Sequence, residues 1–146
     1  ANYINSRMGQ REALANGYDT CIFMNEAGKI SEGPGSCIFM GRNNLLITPP
    51  LTDSVLESIT RDTIIKLAKK KGIKVLERSI DRTELYTCDE AFLCGSAMEV
   101  SPILYIDKYV IGNGKCGYIT SIIQKDYLNV VSGRLFEFNN WITSIY

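Results

Sequence analysis

A chain of 146 residues with 45% hydrophobic content suits one domain with a real core. Its 16 basic side chains balance 16 acidic ones, which argues against nucleic acid or an anionic membrane as partner. With no histidine in the chain, Ser-His-Asp and Cys-His catalysis and most catalytic zinc sites are excluded, and no metal is expected.

No apolar run approaches a spanning helix and no signal peptide is visible, so a soluble, cytoplasmic protein is expected. The five cysteines (Cys21, Cys37, Cys88, Cys94 and Cys116) are odd in number, form no C-x-x-C pair and fall mostly in apolar runs. Reduced, buried thiols are expected. Chemistry must then come from carboxylates, backbone amides, lysine or a cofactor.

In chain order, "ANYINSRMGQREAL" spaces Ile4, Met8, Ala13 and Leu14 as an amphipathic helix closed by Asn16-Gly17. No cap precedes it, which suggests that something upstream is missing. "YDTCIFM" reads as a strand, "NEAGK" as a tight turn and "KISEG" as the returning strand. "SCIFMG" and "LLIT" flank "RNN" as a second hairpin, stopped by Pro49 and Pro50. "ITRDTIIKLAKKKG" is the clearest helix, with Ile64, Leu67 and Ala68 on one face, lysines at its end and Gly72 as its stop.

"IKVLERSI" then reads as a strand, and "DRTELY" as a short helix with Asp81 and Glu84 at capping-box spacing. "EAFLCG" and "SPILYID" are strands around a small-residue loop. "YVIG" and "GNGKCG" lead to a last helix, "YITSIIQKDYLNVVSG", ending at Gly133, and the aromatic tail through Trp141 is expected to pack on the body. With no repeat and no linker, these elements predict one α+β domain rich in hairpins.

Four motifs carry candidate chemistry. "GNGKCG" matches G-x-G-x-x-G, but too little chain follows for a dinucleotide fold, so a structural turn is the better reading. "LESITRD" opens the strongest helix, where the amides of Ile59 and Thr60 and the Thr60 hydroxyl suit an anion; Ser58 or Thr60 acting as a simple cap explains it as well. "CGSAMEVSP" sets Gly95, Ser96 and Ala97 after a buried strand, where small residues let a ligand approach the backbone, or merely make a tight connection. "ISEGPGS" holds Glu32 on a rigid bend of Gly33, Pro34 and Gly35, either poised for a ligand or simply solvated.

The ordered set "NYINS", "GYD", "SEGPGS", "TPPL", "ITRD", "ELYTCDEAFLCGSAMEVSP" and "GNGKCG" resembles the large domain of branched-chain amino acid aminotransferases, fold-type IV pyridoxal-phosphate enzymes. The resemblance runs from Asn2 to about Gly133 and implies hairpin-rich sheets forming a pseudo-barrel with flanking helices. It implies pyridoxal 5'-phosphate as cofactor, with its ring nitrogen held by Glu32, its phosphate by Ile59 and Thr60, its ring face covered by Leu56 and its phenolic oxygen met by Tyr3. Gly35 would keep the bend close to the cofactor. The loop at Gly95, Ser96 and Ala97 would receive the substrate carboxylate.

Three departures from the family pattern stand out: Ser58 replaces the usual Gly, Ser96 the usual Thr, and Tyr118 a common Pro. The family's Schiff-base lysine lies just before the "NY" pair, and its smaller N-terminal domain precedes that; both are expected to be missing from residues 1–146, so no catalytic residue is assigned here. The resemblance implies amino-group exchange between leucine, isoleucine or valine and 2-oxoglutarate by an intact homodimer, with this chain inactive alone. The alternatives are an aminodeoxychorismate lyase, a D-amino-acid aminotransferase, or a truncated, non-catalytic binding or dimerisation module.

Overall fold

The structure, a computed structural model, describes residues 3–143, so Ala1 and Asn2 of the opening motif lie outside it. Its centre is a six-stranded sheet of β1 (Glu32–Gly33), β2 (Ser36–Arg42), β3 (Leu45–Thr48), β4 (Lys74–Glu77), β5 (Glu90–Gly95) and β6 (Glu99–Ile103). The order is β4-β3-β2-β5-β6, with β1 paired to β2. Among the described residues the sheet stays open and does not close into the expected pseudo-barrel. A separate two-stranded ribbon joins β7 (Tyr105–Ile106) to β8 (Tyr109–Val110).

The helices are α1 (Ile4–Ala15), α2 (Ile59–Lys70), α3 (Arg82–Leu85) and α4 (Tyr118–Val131). β2 and β3 join through Asn43 and Asn44, both at positive φ, the backbone of a tight two-residue hairpin. β3 and β4 are parallel, and α2 supplies the crossover between them. Gly72 at positive φ ends α2, where Ile73 N–H returns to the Ala68 carbonyl at 2.9 Å.

Strand alternation divides the core in two. On one face Cys37, Phe39, Phe92 and Cys94 meet Ile64, Leu67 and Ala68 of α2 and Ile123 and Tyr127 of α4. The Phe39 and Phe92 rings stack at 5.1 Å. On the other face Ile38, Met40, Ala91 and Leu93 pack on Ile30, Ile80, Leu85 and Ile111. The tail docks as expected: Phe138 joins the first cluster and Lys70 of α2 pairs with Glu137.

Several expectations need correction. The helix α1 forms, but Ile4, Met8 and Leu14 are all more than half exposed and only Ala13 is buried. Residues 18–24 are not a strand; they meet the returning chain through a single bridge, Met24 to Ile30, and bonds between Phe23 and residues 31 and 32. "KISEG" contributes only Glu32–Gly33 as strand, and "IKVLERSI" only Lys74–Glu77. "SPILYID" breaks at Leu104 into β6 and β7. Pro102 is tolerated because β6 is the sheet's edge. All five thiols are free, but Cys116 is exposed and Cys21 only partly covered.

Candidate functional site

The candidate residues gather at the end of the sheet where β1 turns into β2. Pro34 and Gly35 make a two-residue turn, with Gly35 at φ +71°, that pairs Gly33 with Ser36 and Glu32 with Cys37. Glu32 is half-buried, and its Oε2 accepts the N–H of Leu56 at 3.0 Å. Its other oxygen has no partner among the described residues. The Leu56 side chain is 60% exposed.

Gly95 brings the β5–β6 turn against the bend, since a Cβ there would sit 2.9 Å from the Gly35 carbonyl oxygen. Ser96 and Ala97 are exposed, and no acceptor among the described residues takes their amides. Glu99 at positive φ completes this three-residue hairpin loop. Tyr3, at the start of α1, shares with Pro34, Gly35, Met98 and Arg7 a cavity of about 500 Å³. A second cavity of about 520 Å³, between α1, residues 20–24 and β7, holds none of the candidate residues.

Two helix starts define what the site can bind. Ser58 caps α2, as its hydroxyl accepts the Arg61 N–H at 3.3 Å. The simple-cap reading of Ser58 is therefore correct, but it leaves the amides of Ile59 and Thr60 and the Thr60 hydroxyl without partners among the described residues. Ile59 is 87% exposed and Thr60 buried.

At α4 the same Ile-Thr pair recurs as Ile119-Thr120, and there it holds an anion. The buried Glu90 carboxylate accepts the Ile119 amide at 3.1 Å, the Thr120 amide at 2.7 Å and the Thr120 hydroxyl at 2.6 Å. At α2 the pair sits one position nearer the cap: its two amides and the Thr60 hydroxyl are open, while the third amide of the turn, Arg61 N–H, goes to Ser58. A phosphate-sized anion fits that chemistry.

Two residues went unnoticed in the sequence. Arg61 is buried, donating to the Pro49 carbonyl at 2.8 Å and to Glu77 at 2.9 Å, with Nε unpartnered. Its charge is paired with Glu77, and an arginine in the first turn, where the dipole disfavours it, is the signal that could have marked it. Cys37 lies opposite Glu32 in the β1–β2 ladder and opposite Cys94 in the β2–β5 ladder. Counting outward from a Pro-Gly turn would have found it. Cys94, then the Ser58 hydroxyl and the Arg61 charge, hold the Cys37 thiol below the ordinary range, against its burial and the Glu32 charge. Elsewhere, burial pushes the Cys88 thiol up to about 11.

The G-x-G-x-x-G glycines have structural causes. Cβ atoms at Gly112 and Gly117 would overlap the Asp89 carbonyl and the Glu90 carboxylate. Among the described residues no helix is long and apolar enough to cross a membrane.

The fold thus sets a capped helix start with unpartnered donors near two glycine-containing turns, chemistry that suits a small anionic ligand. Residues 1–106 match the family described as amino-transferase class IV, and the chain belongs to that family. A probable branched-chain-amino-acid aminotransferase of Aquifex aeolicus is 45% identical over 145 residues, 99% of this chain and 47% of that protein. The branched-chain aminotransferase of Thermoproteus uzoniensis, solved with norvaline, aligns at TM-score 0.95 and 46% identity, over 99% of this chain and 48% of its own. That of Thermobaculum terrenum, in its PLP form, aligns at TM-score 0.94 and 50% identity over 97% and 47%. The chain spans about half the length of the relatives it matches.

Proposed function

We propose that this chain is the cofactor-binding large domain of a pyridoxal-phosphate-dependent aminotransferase acting on branched-chain L-amino acids and 2-oxoglutarate. The observation that carries this reading is the open Ile59-Thr60 helix start; the same dipeptide, one position further into α4, holds a carboxylate. The similarity to branched-chain aminotransferases, one of them solved in its PLP form, supports the cofactor and the substrate class. Bound pyridoxal phosphate supplies an electron sink for the pair left when the substrate's Cα proton is removed.

This chain's residues do the rest. The amides of Ile59 and Thr60 and the Thr60 hydroxyl bind the phosphate, and the buried bonds of Arg61 to Pro49 and Glu77 fix that helix start. Glu32, one oxygen pinned by Leu56, keeps a proton on the ring nitrogen with the other. Leu56 covers a ring face and excludes water, Tyr3 donates to the ring's phenolic oxygen, and Gly35 lets the bend approach. The free amides of Ser96 and Ala97, behind Gly95, take the substrate carboxylate. The Schiff-base lysine and a smaller domain come from the rest of the full protein, which acts as a homodimer.

Two measurements test this. The 146-residue chain alone should not turn over leucine with 2-oxoglutarate; robust turnover would overturn the assignment of the lysine outside it. In the full protein Glu32→Gln should lower turnover about a hundredfold while leaving thermal stability unchanged. Unchanged kinetics remove Glu32 from its role. A preference for D-alanine or aminodeoxychorismate over L-leucine would move the protein to a neighbouring activity on the same scaffold.

A further inference from the structure

Leu56 is held on both sides. Its N–H donates to Glu32 at 3.0 Å, and the Cys37 thiol reaches its carbonyl at 3.9 Å, the one donor to that oxygen among the described residues. Glu32, Cys37 and Cys94 form a row across β1, β2 and β5 on the face covered by α2. Cys37 is 3% exposed, so a thiol is the small donor that this dry position accommodates.

We propose that Cys37 is a positioning residue: its thiol fixes the Leu56 backbone, so that the Leu56 N–H holds Glu32 in the orientation that meets the cofactor's ring nitrogen. This rests on the cofactor reading above. Removing the thiol leaves the Leu56 carbonyl without a protein donor, and the loop from Val55 to Ser58 loses a tie to the β1–β2 bend. The Ser58 hydroxyl that meets the Cys37 thiol also caps α2, but its bond from Arg61 N–H and the Arg61 bonds to Pro49 and Glu77 do not depend on the thiol. Cys37 therefore acts on the ring end of the site more than on the phosphate end.

The test compares Cys37→Ala, Cys37→Ser and, as a buried thiol in the opposite core, Cys88→Ala. The Leu56 amide resonance is followed by NMR. Binding of pyridoxamine 5'-phosphate, which needs no lysine, is compared with binding of inorganic phosphate. Cys37→Ala should shift the Leu56 amide and weaken pyridoxamine phosphate roughly fivefold, with inorganic phosphate unchanged. Cys37→Ser should restore both readouts and Cys88→Ala should move neither.

Wild-type affinity for pyridoxamine phosphate in Cys37→Ala, or equal loss of both ligands, overturns the proposal and leaves the cofactor reading standing. A wild-type protein that binds inorganic phosphate but not pyridoxamine phosphate overturns the cofactor reading and the proposal with it.

Discussion

The starts of α2 and α4 carry the same dipeptide, with Ile59-Thr60 one position nearer its cap than Ile119-Thr120, and use it in opposite ways. At α4 the anion comes from within the fold: Glu90 of β5 fills the helix start so closely that Gly41 and Gly117 have no room for a Cβ. At α2 Ser58 satisfies the Arg61 amide, and the amides of Ile59 and Thr60 and the Thr60 hydroxyl have no partner among the described residues. A helix start is an anion site by its backbone alone. Whether it serves structure or ligand depends on whether the fold supplies the anion.

The largest expected effect breaks the filled end. Glu90→Ala removes the acceptor of two buried amides and a buried hydroxyl, which should cost about 3 kcal/mol in urea denaturation. A loss below about 1 kcal/mol would mean that the Glu90 bonds are not what seats α4 on the sheet. The threonines give a sharper contrast. Thr120→Ala loses a buried hydroxyl bonded to a carboxylate and should cost about 1.5 kcal/mol. Thr60→Ala loses no hydrogen-bond partner, only a buried methyl, and should cost less than about 1 kcal/mol, yet weaken inorganic phosphate binding several-fold. Equal stability losses at the two positions would erase the distinction between the helix starts.

The helices and most turns were legible because their signals are local. Ser58 before "ITRD", Asp81 with Glu84, and Gly72 and Gly133 past the helix ends all behave as their chemistry dictates. The residues 18–24 misled because an apolar run predicts burial and not pairing; the stretch meets residues 30–32 through one bridge and the two Phe23 bonds, too sparsely to make a strand. The exposed apolar side chains of α1 misled in the opposite sense, since helical spacing identifies a face but not what covers it. The candidate site was readable residue by residue. What joins it was not: the Glu32–Leu56 bond spans 24 positions and depends on how α2 crosses over from β3. Cys37 was hidden because a cysteine in a strand looks like core until its register is known.

The smallest expected effect concerns a third helix start, on the surface. At α3, Asp81 and Glu84 form a reciprocal capping box, and Glu84 also accepts two bonds from Arg78, at 2.9 and 2.7 Å. The Arg78 guanidinium, and after it the Asp81 amide, hold the Glu84 carboxyl below its ordinary range against partial burial. A lowered folded-state value means that the ionised form favours the fold. The stabilisation is therefore complete above the ordinary glutamate range, near pH 4.3, and fades as pH falls through the lowered value. Solvent screening keeps it small, so Glu84→Gln should cost only about 0.5 kcal/mol at pH 7 and nothing measurable near pH 2. A gap between wild type and Glu84→Gln that persists undiminished into acid would show that the cap works through shape and not charge. The surface start would then differ in kind from the Glu90-filled start of α4, where three buried donors converge on one carboxylate.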